Sequence, residues 1–378
     1  MVFSQFCCTS MWFAGNAVMT DLVRNYELSS SALGHLTSAV QFGFIAGTLL
    51  FAILNIADRN SPSKVFFYCA LTGAILNLGI LIPSANILSL LSLRFLTGFS
   101  LAGIYPIGMK IAADHFKDGL GRSLGFLVGA LVLGTAFPHL LKSITTSVEL
   151  DWRLVIVFTS ILSILGGTLI FTSIPDGPYR RLRKTTDLLT AIKVFRHKDF
   201  RAAAFGYFGH MWELYAFWAF VPVILFAYNS NPGSEIDIPI TSFWIIAGGG
   251  LACVLSGLLS SRTGTKRTAA TALFLSGLCC LISPFIFNMN SEFILILFLM
   301  LWGMVVVADS PLISTLVARN ADLESRGTAL TIVNSIGFAI TIISIQLLNA
   351  LSSVISPAYL LLFLAPGPIV GLIALYRK

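Results

Sequence analysis

ILNIADRNSPSK, Ile53 to Lys64, sets Asp58 and Arg59 directly after a long and largely apolar run. Its echo is GLLSSRTGTKR, Gly257 to Arg267, which again ends an apolar run in hydroxyls and basic residues. The same kind of polar hinge, met twice, decides the reading of the whole chain. Asp58 and Ser261 lie 203 positions apart (261 − 58), and aligning them pairs Arg59 with Arg262 and Lys64 with Arg267. Further on, RFLTGFSLAGIYPIG carries Gly98 and Pro106, and LMLWGMVVVADSPLI carries Gly303 and Pro311, both 205 apart. Arg122 in GLGRSLG and Arg326 in LESRGTA then open matching segments. Correspondences at nearly one offset indicate an internal duplication.

Composition says what is duplicated. Of the 378 residues, 56% are hydrophobic and only 11% charged, with a mean hydropathy of +0.87. A soluble domain carries roughly 25% charged residues, so this surface is matched to lipid. Runs of about 20 apolar residues cross a hydrocarbon core, and they lack the alternation of a barrel strand. The spacing predicts an all-α polytopic membrane protein with spans at 2–21, 32–56, 65–83, 87–113, 121–142 and 153–174. The second half gives 202–227, 241–260, 268–287, 292–317, 327–350 and 358–376. That is about 12 transmembrane helices in two pseudo-symmetric six-helix bundles, 1–174 and 202–378, joined by a basic linker at 175–201. Gly and Pro make spans four, five and twelve the least regular.

The basic residues check the count independently. With both termini in the cytoplasm, 19 of the 24 Lys and Arg residues fall in cytoplasmic segments, 3 (Arg24, Lys142, Arg153) fall outside and 2 lie within span four. This is the positive-inside bias, so the net charge of +7 reports topology and no nucleic-acid partner is expected. The opening MVFSQFCCTSMWFAGNAV has no basic start, and removing it would leave an odd number of spans, so it reads as span one and not as a cleaved signal. The six cysteines form no CxxC pattern and read as packing residues. Linker residues 185–198 suit an amphipathic surface helix near anionic lipid; a regulatory docking site is the alternative.

These motifs resemble the major facilitator superfamily. The DR-x₄-K hinge resembles that superfamily's loop after the second helix, and RFLTGFSLAG (Arg94, Gly98, Ala102) its fourth-helix motif. DWRLVIVF before span six is also typical. Departures are Leu54 in place of the loop's leading Gly, Ser61 and Pro62 for its Gly-Arg, and Ser261 for the acid of the second copy. AGIYPIGMK followed by GRSLGFLVGALVLGTAFP resembles nitrate- and cyanate-type anion porters but names no substrate. The resemblance implies a secondary transporter that binds a small solute between its two halves and exposes it to each side in turn. It also implies a cytoplasmic latch of Asp58 and Arg59 with the region of Arg326 and Gly327, to which Lys64, Arg122 and Arg262 belong. A simple positive-inside loop is the plain alternative.

Ionisable side chains inside a span are costly, so each is a functional candidate. Arg94 lies in the outer half of span four and Lys110 in its inner half; Glu213 is mid-span in seven and Asp309 lies in the inner half of ten. His210 stands three residues before Glu213 on one helical face and can share its proton. Glu213, Asp309, His210 and Arg94 are the candidates for proton coupling, against static pairs that tie helices together. Arg94 and Lys110 are candidates for an anionic solute, with Asn16, Gln41, Trp212, Tyr215 and Asn334 completing a pocket; for the aromatics, packing is the alternative. No HExxH or serine–histidine constellation appears, and neither catalysis, a metal nor a cofactor is expected. The expected partners are a small solute, protons and membrane lipid. The expected form is a monomer in the cell membrane, the inner membrane of a bacterium. Proton-driven export of amphipathic drugs or toxins is the alternative to uptake of a small metabolite, and a transporter-like sensor is a further one.

Overall fold

A computed structural model describes residues 1–29, 31–116, 120–180, 194–289, 291–321 and 326–377, except the side chains of 120–122, 326 and 327. The linker helix expected at 185–198 falls mostly outside the described residues. All regular structure among them is helical, and eleven helices are long and apolar enough to cross a membrane. The chain divides into two compact units, Met1–Thr186 and Asp187–Lys378.

The first unit holds span two (Ala32–Ile53), three (Pro62–Leu81), four (Ile87–Leu101 and Tyr105–His115), five (Leu120–Ser147) and six (Arg153–Ser173). The second holds span seven (Lys198–Tyr228), eight (Ile238–Thr263), nine (Thr265–Phe287), ten (Glu292–Ala308 and Ser310–Arg319), eleven (Arg326–Leu351) and twelve (Pro357–Tyr376). Span two packs along span four as eight packs along ten, and three along six as nine along twelve.

The duplication is visible atom by atom. A Cβ added to Gly98 would stand 2.0 Å from the Val40 carbonyl oxygen, and one added to Gly303 would stand 2.0 Å from that of Ile245. Both members of the contact shift by 205 (303 − 98 and 245 − 40). Helices without a driving force from water associate through such close backbone approach, and only glycine permits this one.

Span one departs from the expected continuous helix. It comes as Val2–Thr9, Ala14–Ala17 and Met19–Asn25. Thr9 Oγ1 donates to the Gln5 carbonyl at 2.8 Å and Ser10 Oγ to that of Cys7 at 2.7 Å, hydroxyls that compete for helical acceptors just where the helix stops. Span four breaks after Leu101, ahead of Pro106, and span ten breaks at Asp309, ahead of Pro311. Proline has no N–H to continue a helix but suits the first turn of the next one. Span five runs on through Pro138.

Candidate functional site

A broken helix in lipid leaves backbone carbonyls that must find donors, or each costs several kcal/mol. In the first unit Arg94 supplies them. Arg94 is 2% exposed, and its guanidinium donates to the carbonyls of Met11 at 3.2 Å and Trp12 at 2.5 Å, at the break in span one, and to Asn77 Oδ1 at 3.4 Å. Asn77 in turn donates to the Ile156 carbonyl, Thr159 and Ser160 on span six. Arg94 therefore braces three helices. Asn16 Nδ2 donates to Thr37 Oγ1 at 2.8 Å, joining the break to span two. Gln41, near the middle of span two, is fully buried.

In the second unit Glu213 occupies an unbroken span seven and is 1% exposed. Trp302 Nε1 donates to its Oε1 at 2.7 Å, Ser276 Oγ to its Oε2 at 2.9 Å, and Cys280 Sγ approaches Oε1 at 3.5 Å. The carboxyl thus gathers donors from spans nine and ten. One turn earlier, His210 Nδ1 lies 2.8 Å from Asp309 Oδ1, both side chains 1% exposed. That is ion-pair distance without regular hydrogen-bond geometry, and His210 Nε2 and Asp309 Oδ2 have no hydrogen-bond partner among the described residues. Asp309 marks the break in span ten, where Cys253 and Ser256 of span eight donate to the freed carbonyls of Val307 at 3.3 Å and Ala308 at 2.6 Å. The break is bolted to span eight by neutral donors and set against span seven by the approach of Asp309 to His210.

The remaining candidates scatter. Trp212 turns to span twelve, donating to the Phe363 carbonyl at 3.1 Å. Tyr215 is buried in a ring cluster with Trp218 at 5.3 Å and Phe338 at 5.2 Å, and Asn334 is half-buried one turn before Phe338. Lys110, a candidate for a solute anion, has its Nζ 3.0 Å from Asp58 and 3.5 Å from Asp114. The same corner holds Arg180, which donates to the carbonyls of Asp58 and Asn60 and pairs with Asp176, itself bonded by Ser61. Arg59, Lys64 and Arg262 are exposed, outside this cluster. The side chains of Arg122 and Arg326 fall outside the described residues.

Sequence reasoning missed Trp302, Ser276, Cys280 and Asn77, which carry no periodic or charge signal of their own. It also missed Asp114, Asp176 and Arg180, for which a signal existed: Lys110 with Asp114 and Asp176 with Arg180 are i,i+4 pairs of opposite charge.

The chain is similar to the protein named "Putative transporter AraJ" of Escherichia coli (strain K12), 23% identical over 298 residues that make up 76% of this chain and 71% of that one. The family model of the Major Facilitator Superfamily matches residues 1–345, from span one into span eleven. With its helical spans, its repeated Gly98 and Gly303 crossings and a match over most of its length, this multi-pass membrane transporter belongs to the major facilitator superfamily.

Proposed function

We propose that the chain is a proton-coupled secondary transporter that moves a small solute by alternating access, with both termini and the Asp58–Lys110–Arg180 corner in the cytoplasm of a bacterial cell. The observation that carries the coupling is the setting of Glu213. Ser276 Oγ lies 2.9 Å from its carboxyl and also 3.2 Å from the Leu273 carbonyl, and a hydroxyl has one hydrogen to give. With Glu213 ionised, the serine hydrogen points to the carboxylate. With Glu213 protonated, the acid donates to Ser276 and the serine hydrogen turns to Leu273. Either charge state leaves no buried donor stranded, which suits a group that loads and releases protons. His210 and Asp309 form a second titratable station one turn away, at the break of span ten.

The Asp58 corner is the hold that steadies one of the two access states. Lys110 offsets the unfavourable position of Asp58 at the end of span two, where the helix dipole opposes a carboxylate. Export of an amphipathic compound is the second reading, favoured by the Tyr215, Trp218 and Phe338 ring cluster.

The test is a flux screen in proteoliposomes with an imposed pH gradient, followed by Glu213→Gln. The amide keeps the shape and the Trp302 bond but cannot exchange a proton. We expect gradient-driven accumulation to fall at least about 100-fold, within the range seen for lost proton transfer, while gradient-independent exchange of the same solute persists. Undiminished accumulation in Glu213→Gln rules the coupling role out.

A further inference from the structure

Gln41 is 0% exposed, and neither its amide nitrogen nor its amide oxygen has a hydrogen-bond partner among the described residues. Two turns along the same helix, Thr48 is 7% exposed and its hydroxyl is unpartnered as well. Buried polar groups are almost always satisfied, so two on one helix call for an explanation. At about 100° per residue, Thr37, Gln41, Phe44 and Thr48 share one face of span two. Val40, Gly43 and Gly47, which abut span four in close approach, share another, roughly a quarter turn away. The polar face is the one that meets span one, through Asn16 on Thr37 at 2.8 Å and Trp12 on Phe44 at 4.9 Å between ring centroids.

The duplication provides a control. The counterpart of Gln41, 205 positions on, is Ile246, buried at the same depth of the equivalent helix. The helix pair therefore packs without an amide at this point. Gln5 is the other amide with both ends unpartnered among the described residues, but its counterpart is His210, so it is polar in both halves. Thr48 corresponds to Cys253, whose thiol does find a carbonyl in the second half. Only the first half leaves these groups open.

We propose that Gln41 and Thr48, with the Trp12–Phe44 pair between them, form a subsite for a neutral polyhydroxylated solute. A glutamine amide offers a donor and an acceptor side by side, the pattern an adjacent pair of hydroxyls satisfies. Thr48 lies about 10 Å further along the helix axis, within reach of the far end of a short carbon chain. The rings between offer apolar surface for its C–H groups. The two candidate cations of this unit's spans are engaged elsewhere: Arg94 is committed to the Met11 and Trp12 carbonyls and Lys110 to Asp58 and Asp114. An anion would find no counter-charge there.

This inference rests on the transport reading and refines its substrate class. The experiment is calorimetric titration of the full purified chain with sorbitol and with gluconate, probes of the same carbon-chain length that differ in one terminal group, a hydroxymethyl in sorbitol and a carboxylate in gluconate. Sorbitol should bind and gluconate should bind at least about tenfold more weakly. Gln41→Ile, which installs the counterpart residue, should weaken sorbitol about tenfold without lowering the melting temperature of the unliganded protein. Thr48→Val should weaken it severalfold. Absence of sorbitol binding to the native chain, equal binding of gluconate, unchanged sorbitol binding in both variants, or a Gln41→Ile chain that fails to fold would each overturn the subsite. Sorbitol that binds normally but is never carried into vesicles would instead sink the transport reading. A different solute, carried by Gln41→Ile as well as by the native chain, sinks the subsite and leaves transport intact.

Discussion

Span one and span seven occupy equivalent places in the two units, yet one is in three pieces and the other runs unbroken for 31 residues. Span one gives up helical bonds and relies on a cation from span four to collect its carbonyls. Span seven keeps its ladder and instead offers a carboxyl, Glu213, to an indole N–H from span ten. The same pair of helices is tied together in each half, with the charge moved from one partner to the other. The duplicated scaffold thus places opposite chemistry at equivalent joints: an arginine that donates to the carbonyls of a bent helix in the first half, and a carboxyl that gathers donors in the second.

The largest expected effect follows from that contrast. Arg94→Leu leaves the Met11 and Trp12 carbonyls without donors in a dry interior and strips Asn77 of one contact. Removing one side of such a buried charged network costs about 3–5 kcal/mol, enough to abolish most folded protein in a detergent size-exclusion assay. Glu213→Gln, which keeps donors satisfied, should remain folded. If Arg94→Leu is as well folded as Glu213→Gln, the bracing role assigned to the arginine is wrong.

A second test asks whether the halves are equal where they are built alike. Gly98→Ala and Gly303→Ala each place a methyl group 2.0 Å from a main-chain oxygen, which can yield only if two helices part. Each should destabilise by about 1–3 kcal/mol, and the two melting shifts should match. A large shift in one and none in the other would show that the crossings bear different loads.

That equivalence was readable in the chain because glycine and proline punctuate it directly: Gly98, Gly303, Pro106 and Pro311 stand at one offset. The breaks of spans one and ten were not readable. Hydropathy records which residues prefer lipid, whereas a break is set by whether distant donors can collect the freed carbonyls, and Arg94, Cys253 and Ser256 are all far in sequence from the groups they serve. The site shows the same division. Glu213, His210 and Asp309 declare themselves because ionisable groups are costly in lipid. Trp302 and Ser276, which hydrogen-bond Glu213, are ordinary residues until the helices meet. Lys110 shows both kinds of partner: its i,i+4 neighbour Asp114 is in plain view in the sequence, whereas its contact with Asp58 crosses between the ends of spans two and four.

The smallest expected effect separates the halves at the starts of their sixth helices. Span six opens on Asp151, Trp152 and Arg153, and the Arg153 backbone N–H donates to Asp151 Oδ1 at 2.8 Å while its guanidinium reaches Oδ2 at 2.7 Å. The equivalent start of span twelve has Ser356 and Pro357, with no side-chain cap. That backbone N–H, followed by the charges of Arg153 and Lys142, holds the Asp151 carboxyl below the usual aspartate range. A group whose folded pKa is depressed adds stability that is fully present above its unfolded value, near 3.9, and is lost as pH falls through the folded value. Asp151 is 49% exposed, so solvent screens the pair and the contribution should be a few tenths of a kcal/mol. Asp151→Asn should therefore melt slightly below the native chain at neutral pH, and the gap should close as pH falls below the usual aspartate range. Ser356→Ala, with no charge to titrate, should show a gap that does not change with pH. A gap for Asp151→Asn that persists undiminished into acid would mean the residue acts there through its neutral hydrogen bond, and that the two helix starts differ in shape alone.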